Sequence, residues 1–271
     1  MLKQRVLSAV IYGVILLGFL FLGRIPFFVL VLALVLLGLR EFYSLPFENL
    51  KPDTAVGMLG GACFPTAALI KGQAGMGVAL AFLIILVLIR GLLKAKKPTI
   101  YDVSLTIFGS LYVGFLLGHL ILIYDLGTGL ERFSLIEPPI NLGSLSVLLV
   151  FVATWVYDTI AYGGGRLMGR RKLAPKISLQ KTWEGTILGL LASSAALGRM
   201  AFIPLSLAKR ILMGLIIGIA AVLGDLFESS LKRVAGVKDT GSIIPGHGGI
   251  LDRLDSLLFT APVAYYLLKL L

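Results

Sequence analysis

The sequence predicts an all-α, polytopic integral membrane protein, with about nine transmembrane helices joined by short loops in a single membrane domain over residues 1–271. Three observations carry that expectation. First, 58% of the residues are hydrophobic and 14% are charged, whereas a soluble domain is roughly 45–50% apolar and about 25% charged. Second, the apolar residues form continuous runs close to the ~20 residues a spanning helix needs, not the alternation of a barrel strand. Third, basic residues concentrate in alternate connections between the runs, as expected of an inserted multi-span chain.

The runs cover 6–23, 25–43, 54–70, 74–93, 103–124, 144–165, 183–204, 210–231 and 250–271. The first follows Met1–Arg5 and shows no small-x-small cleavage site, so it reads as an uncleaved span. The third holds Gly57, Gly60, Gly61 and Pro65; glycines let membrane helices pack closely. With the N-terminus inside, all but seven of the 25 lysines and arginines (Arg24, Lys71, Arg132, Arg199, Lys209, Arg210 and Lys269) fall on the cytoplasmic side. The outside loop 125–143 carries Asp125, Glu131, Glu137, Pro138 and Pro139. Residues 1–143 read mainly as scaffold, and 144–271 as the helices that carry the polar motifs.

The net charge is +11. In so apolar a chain it points to loops facing an anionic leaflet and to a polyanionic substrate, not to nucleic acid. The single cysteine, Cys63, excludes an internal disulfide and a cysteine-rich metal site; in an apolar run it reads as a packing residue. His119, alone in the fifth run, reads as packed and hydrogen-bonded.

The most polar window is Ser230–Ser256, with Lys232, Arg233, Lys238, Asp239, His247, Asp252, Arg253 and Asp255. Just before it, Asp225 and Glu228 are spaced i, i+3 and Lys232 is i+7 from Asp225, so all three share a helix face. Asp252 and Asp255 form a second i, i+3 pair. With Asp158 of the sixth run, these acids fall at the cytoplasmic ends of their spans, although lysine and arginine alone set the orientation. An intramembrane charge costs roughly 2.5–3.5 kcal/mol on insertion scales, so it faces a polar interior. Two roles stay open for Glu228 and Asp255: pairing with Lys232, Arg233 or Arg253, or service at a site. Several carboxylates at one depth suit a hard cation such as Mg2+, which bridges to substrate phosphates.

Gly246-His247-Gly248-Gly249 follows Pro245 and precedes a helix. It reads either as a turn or as a loop whose backbone approaches an anion at the helix N-terminus. His247 could donate a proton, touch phosphate, or orient the turn. The basic stretch Arg166–Lys176, with Arg170, Arg171 and Lys172, suits an anionic membrane surface. Lys181-Thr182 before Trp183-Glu184 is more specific: Thr182 can cap the seventh helix and Lys181 can reach a phosphate. Gly163–Gly165 is explained by helix packing as readily as by a ligand. Trp155, Tyr157 and Tyr162 read as interface anchors.

The pattern S-L-K-R-x4-K-D-x-G-x2-I-P-x-H-G-G-I-x-D-R-L-D over Ser230–Asp255 resembles the signature of the phosphatidate cytidylyltransferases, or CDP-diacylglycerol synthases. Gly224–Ser229, Asp158-Thr159 with Ala161-Tyr162, and Ser178 with Lys181-Thr182 and Glu184-Gly185 are similar to that family too. The family often has proline after the serine; this chain has Leu179. The resemblance implies that CTP and phosphatidic acid give CDP-diacylglycerol and pyrophosphate at the cytoplasmic face of a bacterial cytoplasmic (inner) membrane, with Mg2+. It further implies a monovalent cation such as K+, and a homodimer. Asp225 and Asp252 would correspond to the metal-binding aspartates. Lys232, Lys238, Asp239, His247 and Asp255 would be the other catalytic positions. Asp158, Ser178, Lys181, Thr182, Glu184, Arg233, Gly248, Gly249 and Arg253 would contact substrate.

Two other classes compete. A cation-coupled transporter also places carboxylates in the membrane, but it favours the midplane and an inverted repeat; neither is evident here. A CDP-alcohol phosphotransferase would resemble D-G-x2-A-R-x8-G-x3-D-x3-D, which the chain lacks.

Overall fold

The computed structural model describes residues 2–47, 50–93, 98–130, 141–201, 205–241, 243 and 248–270. Its elements are almost all helical, as expected where no water can satisfy an open backbone. They are α1 (Leu2–Phe21), α2 (Arg24–Ser44), α3 (Thr54–Leu93), α4 (Ile100–Gly109), a π-helical segment (Ser110–Phe115), α5 (Leu116–Leu130) and α6 (Leu142–Met168). A hairpin of β1 (Lys172–Ala174) and β2 (Ser178–Thr182) follows, then α7 (Trp183–Arg199), α8 (Leu207–Val234) and α9 (Leu251–Leu270). Among the described residues, five helical stretches are long and apolar enough to cross a membrane: α2, α3, Ile100–Gly127, α6 and α8. These apolar helices make the chain an integral membrane protein.

At 40 residues α3 is about twice the length of one span. It breaks at Lys71 and Gly72, where Gly72 takes φ 58° and ψ −143°. A side chain would resist that backbone, so the third and fourth apolar runs are two helices about a glycine kink.

The chain divides into two compact units. One comprises Met1–Asp125 with Val234–Arg253, the other Leu126–Arg233 with Leu254–Leu271. In the first, Phe27, Val35, Leu39, Phe42, Phe64, Leu83, Val113 and Leu117 are fully buried. Small residues allow close approach: a Cβ on Gly114 would strike the backbone of Gly61. Arg24 at the start of α2 grips Asp125 near the end of α5 through Nε (2.6 Å) and Nη2 (2.8 Å). Asp102 caps its own helix through Thr99 N–H (2.9 Å) and takes the N–H of Lys51 (2.6 Å), tying the α2–α3 loop to α4. His119 is buried, with Nδ1 2.9 Å from the Phe115 carbonyl and its ring edge-on to Phe115, a packed residue as expected.

In the second unit α6 and α7 run together along a glycine seam. A Cβ on Gly185 would meet the Ala161 carbonyl and lie 2.9 Å from the Gly165 backbone, and one on Gly164 would press on Leu188. Packing therefore accounts for Gly164 and Gly165. Tyr157 departs from the expected interface anchor: it is buried against Ala221 and Val222 of α8. Gly189 of α7 leaves the slot its ring occupies, since a Cβ there would lie 2.8 Å from Tyr157 Cδ2. Trp155 and Tyr162 are exposed, as lipid-facing aromatic residues would be.

Candidate functional site

The polar residues of the C-terminal motifs fall in both units. In the second, α8 presents Asp225, Glu228 and Lys232 on one face, and Gly224 brings that helix against α9. A Cβ on Gly224 would lie 2.5 Å from the carbonyl oxygen of Asp255. Asp225 is the next residue, so this backbone contact sets its carboxylate beside the first turns of α9. Asp255 lies within electrostatic reach of Asp225, Glu228 and Asp158, and its Oδ1 accepts the Ser256 N–H at 2.7 Å. Ser256 Oγ donates to Asp158 Oδ1 of α6 at 3.2 Å. Four carboxylates from three helices thus gather in one unit.

Among the described residues, two ammonium groups pair with them. Lys181 Nζ at the end of β2 is 2.7 Å from Asp225 Oδ2. Lys232 Nζ is 2.5 Å from Glu228 Oε2, with Glu228 fully buried. The i, i+4 pairing open to Glu228 is the one observed. Among the described residues, no three acids or histidines stand close enough to hold a metal ion by themselves.

The antiparallel hairpin that carries Lys181 was not anticipated from the basic stretch. Ala174 faces Ser178 and Lys172 faces Thr182 across it. Glu184 closes it by accepting the N–H groups of Arg170 (3.1 Å) and Arg171 (3.2 Å). Arg171 in turn accepts the Trp183 N–H at 2.9 Å. Thr182 caps α7, its Oγ1 taking the Gly185 N–H at 3.2 Å. Lys181 is therefore held between a strand and a capped helix. Ser178 is half-buried in β2, and Leu179 is exposed there.

The first unit holds the loop Val234–Arg253 and its anchor. Asp252 is buried in the first turn of α9. Its Oδ2 accepts the N–H of Thr240 (2.9 Å), the hydroxyl of Thr240 (3.0 Å) and the N–H of Gly249 (2.8 Å). Gly248 has φ 82°, where a side chain is strained, and a Cβ there would lie 2.8 Å from Asp252 Oδ2. Lys238, Asp239 and Arg253 are exposed along this loop, and Arg233 is exposed on the last turn of α8. His247, with Pro245 and Gly246, lies outside the described residues.

Sequence reasoning missed Glu41. This residue of α2 is 5% exposed. Its Oε1 accepts the Ile250 N–H (2.9 Å), and its Oε2 accepts the Leu251 N–H (2.8 Å) and faces the Thr240 hydroxyl (3.3 Å). The first N–H groups of a helix lack internal acceptors and carry partial positive charge; here Glu41 supplies the acceptors. The one local signal was an acid inside an apolar run, costly unless it has a partner.

The sequence model of the cytidylyltransferase family matches residues 3–271. A phosphatidate cytidylyltransferase of Synechocystis sp. is 34% identical over 293 residues, covering 99% of this chain and 97% of its own. That of Bacillus subtilis is 32% identical over 280 residues, covering 99% and 98%. That of Staphylococcus aureus is 32% identical over 276 residues, covering 98% and 99%. With its acids, lysines and glycine turn carried on apolar helices, the chain belongs to the cytidylyltransferase family.

Proposed function

We propose that this protein is a phosphatidate cytidylyltransferase. It transfers CMP from CTP to phosphatidic acid, giving CDP-diacylglycerol and pyrophosphate, at the cytoplasmic face of a bacterial cytoplasmic (inner) membrane with the N-terminus inside. Full-length similarity to enzymes of that name supports the reaction. The observation that carries the chemistry is the gathering of Asp158, Asp225, Glu228 and Asp255 beside Lys181 and Lys232.

An oxygen of the lipid phosphate attacks the α-phosphorus of CTP. The new P–O bond forms as the bond to the α,β-bridging oxygen breaks, and the electron pair leaves with pyrophosphate. A phosphate monoester is largely ionised near neutral pH, its second pKa being about 6, so no strong base is needed. In-line positioning and charge neutralisation are what the residues must supply. Lys181 and Lys232 stabilise phosphate oxygens, and the exposed Lys238 and Arg253 are further cations proposed to serve substrate. Apolar helix faces keep the acyl chains in lipid.

A hard divalent cation fits the donors, which are carboxylate oxygens. Asp225 of one unit and Asp252 of the other are each proposed as a Mg2+ ligand; among the described residues no three acids or histidines could hold a metal by themselves, so substrate phosphate and water would complete its ligands. Bound there, it supplies neutralisation of the triphosphate.

The test is pyrophosphate release by purified protein in detergent with phosphatidic acid, Mg2+ and K+, comparing CTP with ATP, GTP and UTP. Release that requires CTP, the lipid and Mg2+ together is expected. Its absence from folded protein across several detergents would overturn the reading, and solute uptake into vesicles would then be measured. Folded Asp252→Asn with normal metal binding and full turnover would remove the metal assignment.

A further inference from the structure

We infer that Glu41 is a positioning residue for the catalytic loop. It acts through the backbone of Ile250 and Leu251 and through Thr240 to set the direction of the Asp252 carboxylate. The inference rests on the assignment of Asp252 proposed above.

Glu41 makes no use of its own helix here. Its oxygens reach loop residues about 200 positions later in the chain, the Ile250 N–H at 2.9 Å, the Leu251 N–H at 2.8 Å and the Thr240 hydroxyl at 3.3 Å. Those donors surround Asp252. Leu251 is its neighbour in the first turn of α9, and Thr240 gives Asp252 both its N–H and its hydroxyl. The Thr240 hydroxyl has one proton and stands between two carboxylates, 3.0 Å from Asp252 and 3.3 Å from Glu41. Moving Glu41 therefore changes both the start of the helix that carries Asp252 and the hydroxyl that orients it.

The packing leaves little play in this arrangement. A Cβ on Gly241 would lie 2.6 Å from Glu41 Oε1, and one on Gly249 would lie 2.5 Å from Glu41 Oε2. Two glycines border the carboxylate, and Glu41 itself is buried. A buried acid serving only to cap α9 would not need to reach Thr240 as well.

The experiment compares wild type, Glu41→Gln and Glu41→Asp in the same detergent, with two readouts. Amide hydrogen exchange over 249–252 reports the hydrogen bonds directly. Steady-state pyrophosphate release separates kcat from KM. Glutamine has Glu41's shape but turns an NH2 group toward an N–H donor, so one α9 amide loses its acceptor. Exchange at Ile250 and Leu251 should accelerate at least about tenfold, and kcat should fall at least about tenfold, with KM for phosphatidic acid within about twofold of wild type. Glu41→Asp keeps both oxygens and should recover part of kcat. Phe64→Leu, a fully buried core change in α3, serves as a destabilised control whose kcat at low temperature stays at the wild-type level.

Accelerated exchange with wild-type kcat would reduce Glu41 to a structural cap and overturn the inference, as would wild-type behaviour in both readouts. If Glu41→Gln does not fold, Gly241→Ala displaces the same carboxylate without removing it, and it is read by the same criteria. Should wild type itself release no pyrophosphate, the proposed reaction fails. Unchanged exchange in Glu41→Gln would still refute the positioning role of Glu41.

Discussion

Replacing Gly249 with alanine tests how tightly the Glu41–Thr240–Asp252 node is built. Gly249 does not use a left-handed φ, unlike Gly248, so alanine costs little in backbone conformation and the effect is steric. Its Cβ would press on Thr240 Oγ1 and lie 2.5 Å from Glu41 Oε2. The hydroxyl and the carboxylate must both withdraw, which puts at risk the Thr240 bond to Asp252 (3.0 Å) and the Glu41 bond to Leu251 (2.8 Å). Hydrogen bonds to charged groups contribute about 1.5–3 kcal/mol each, so losing two costs roughly 3–6 kcal/mol. Folded chains are stable by about 5–15 kcal/mol in all, and such a loss lowers the unfolding midpoint by on the order of 10 °C. The assay is thermal unfolding in detergent with Gly77→Ala as reference, a position in α3 where an added Cβ meets nothing within 4 Å. A Gly249→Ala midpoint within about 2 °C of wild type would refute the steric argument.

Three further changes probe the second unit. Lys232→Met removes the ammonium paired to the fully buried Glu228 and should cost about 3–5 kcal/mol; adding Glu228→Gln should restore most of the unfolding midpoint, and failure to do so would deny that the pair is the cause. Lys181→Met removes the ammonium 2.7 Å from Asp225. If Lys181 serves phosphate, kcat/KM for CTP falls by roughly 10–100-fold, the equivalent of one charge-assisted hydrogen bond, and unchanged kinetics would assign it to Asp225 alone. Thr182→Ala removes the α7 cap and should cost about 1 kcal/mol in the same melt, whereas Thr182→Ser should cost less than half of that.

What the sequence made legible were interactions closed over short spans. Thr182 before an apolar run announced a cap, and a cap is what it forms. The spacing of Glu228 and Lys232 allowed an i, i+4 pair, which the helix then made. The apolar runs marked the helices because hydrocarbon leaves few alternatives. The hairpin was present as alternation in Lys172–Thr182, but its lysines read equally well as a membrane-facing surface. Only the backbone bonds to Glu184 and the pairing of β1 with β2 distinguish the two. Tyr157 carried the composition of an interface anchor, and no local feature showed that Gly189, thirty-two residues later, leaves a slot for its ring.

Glu41 marks the limit most clearly. Beside Arg40 at the end of an apolar run, it has the look of a residue meeting the headgroups, and its nearest cation in sequence offers a ready explanation. Its actual partners are backbone N–H groups 209 and 210 residues away, and a backbone donor has no letter in the sequence. Side-chain chemistry can be read from residue types because lysine and aspartate advertise their charge. An acid that serves the orphan amides of a distant helix can be inferred only from the cost of burying it, and that cost identifies the residue without naming its partner. The aspartates proposed to hold the cation were visible from their motif. The residue that aims one of them became visible only when α2 and the start of α9 were seen together.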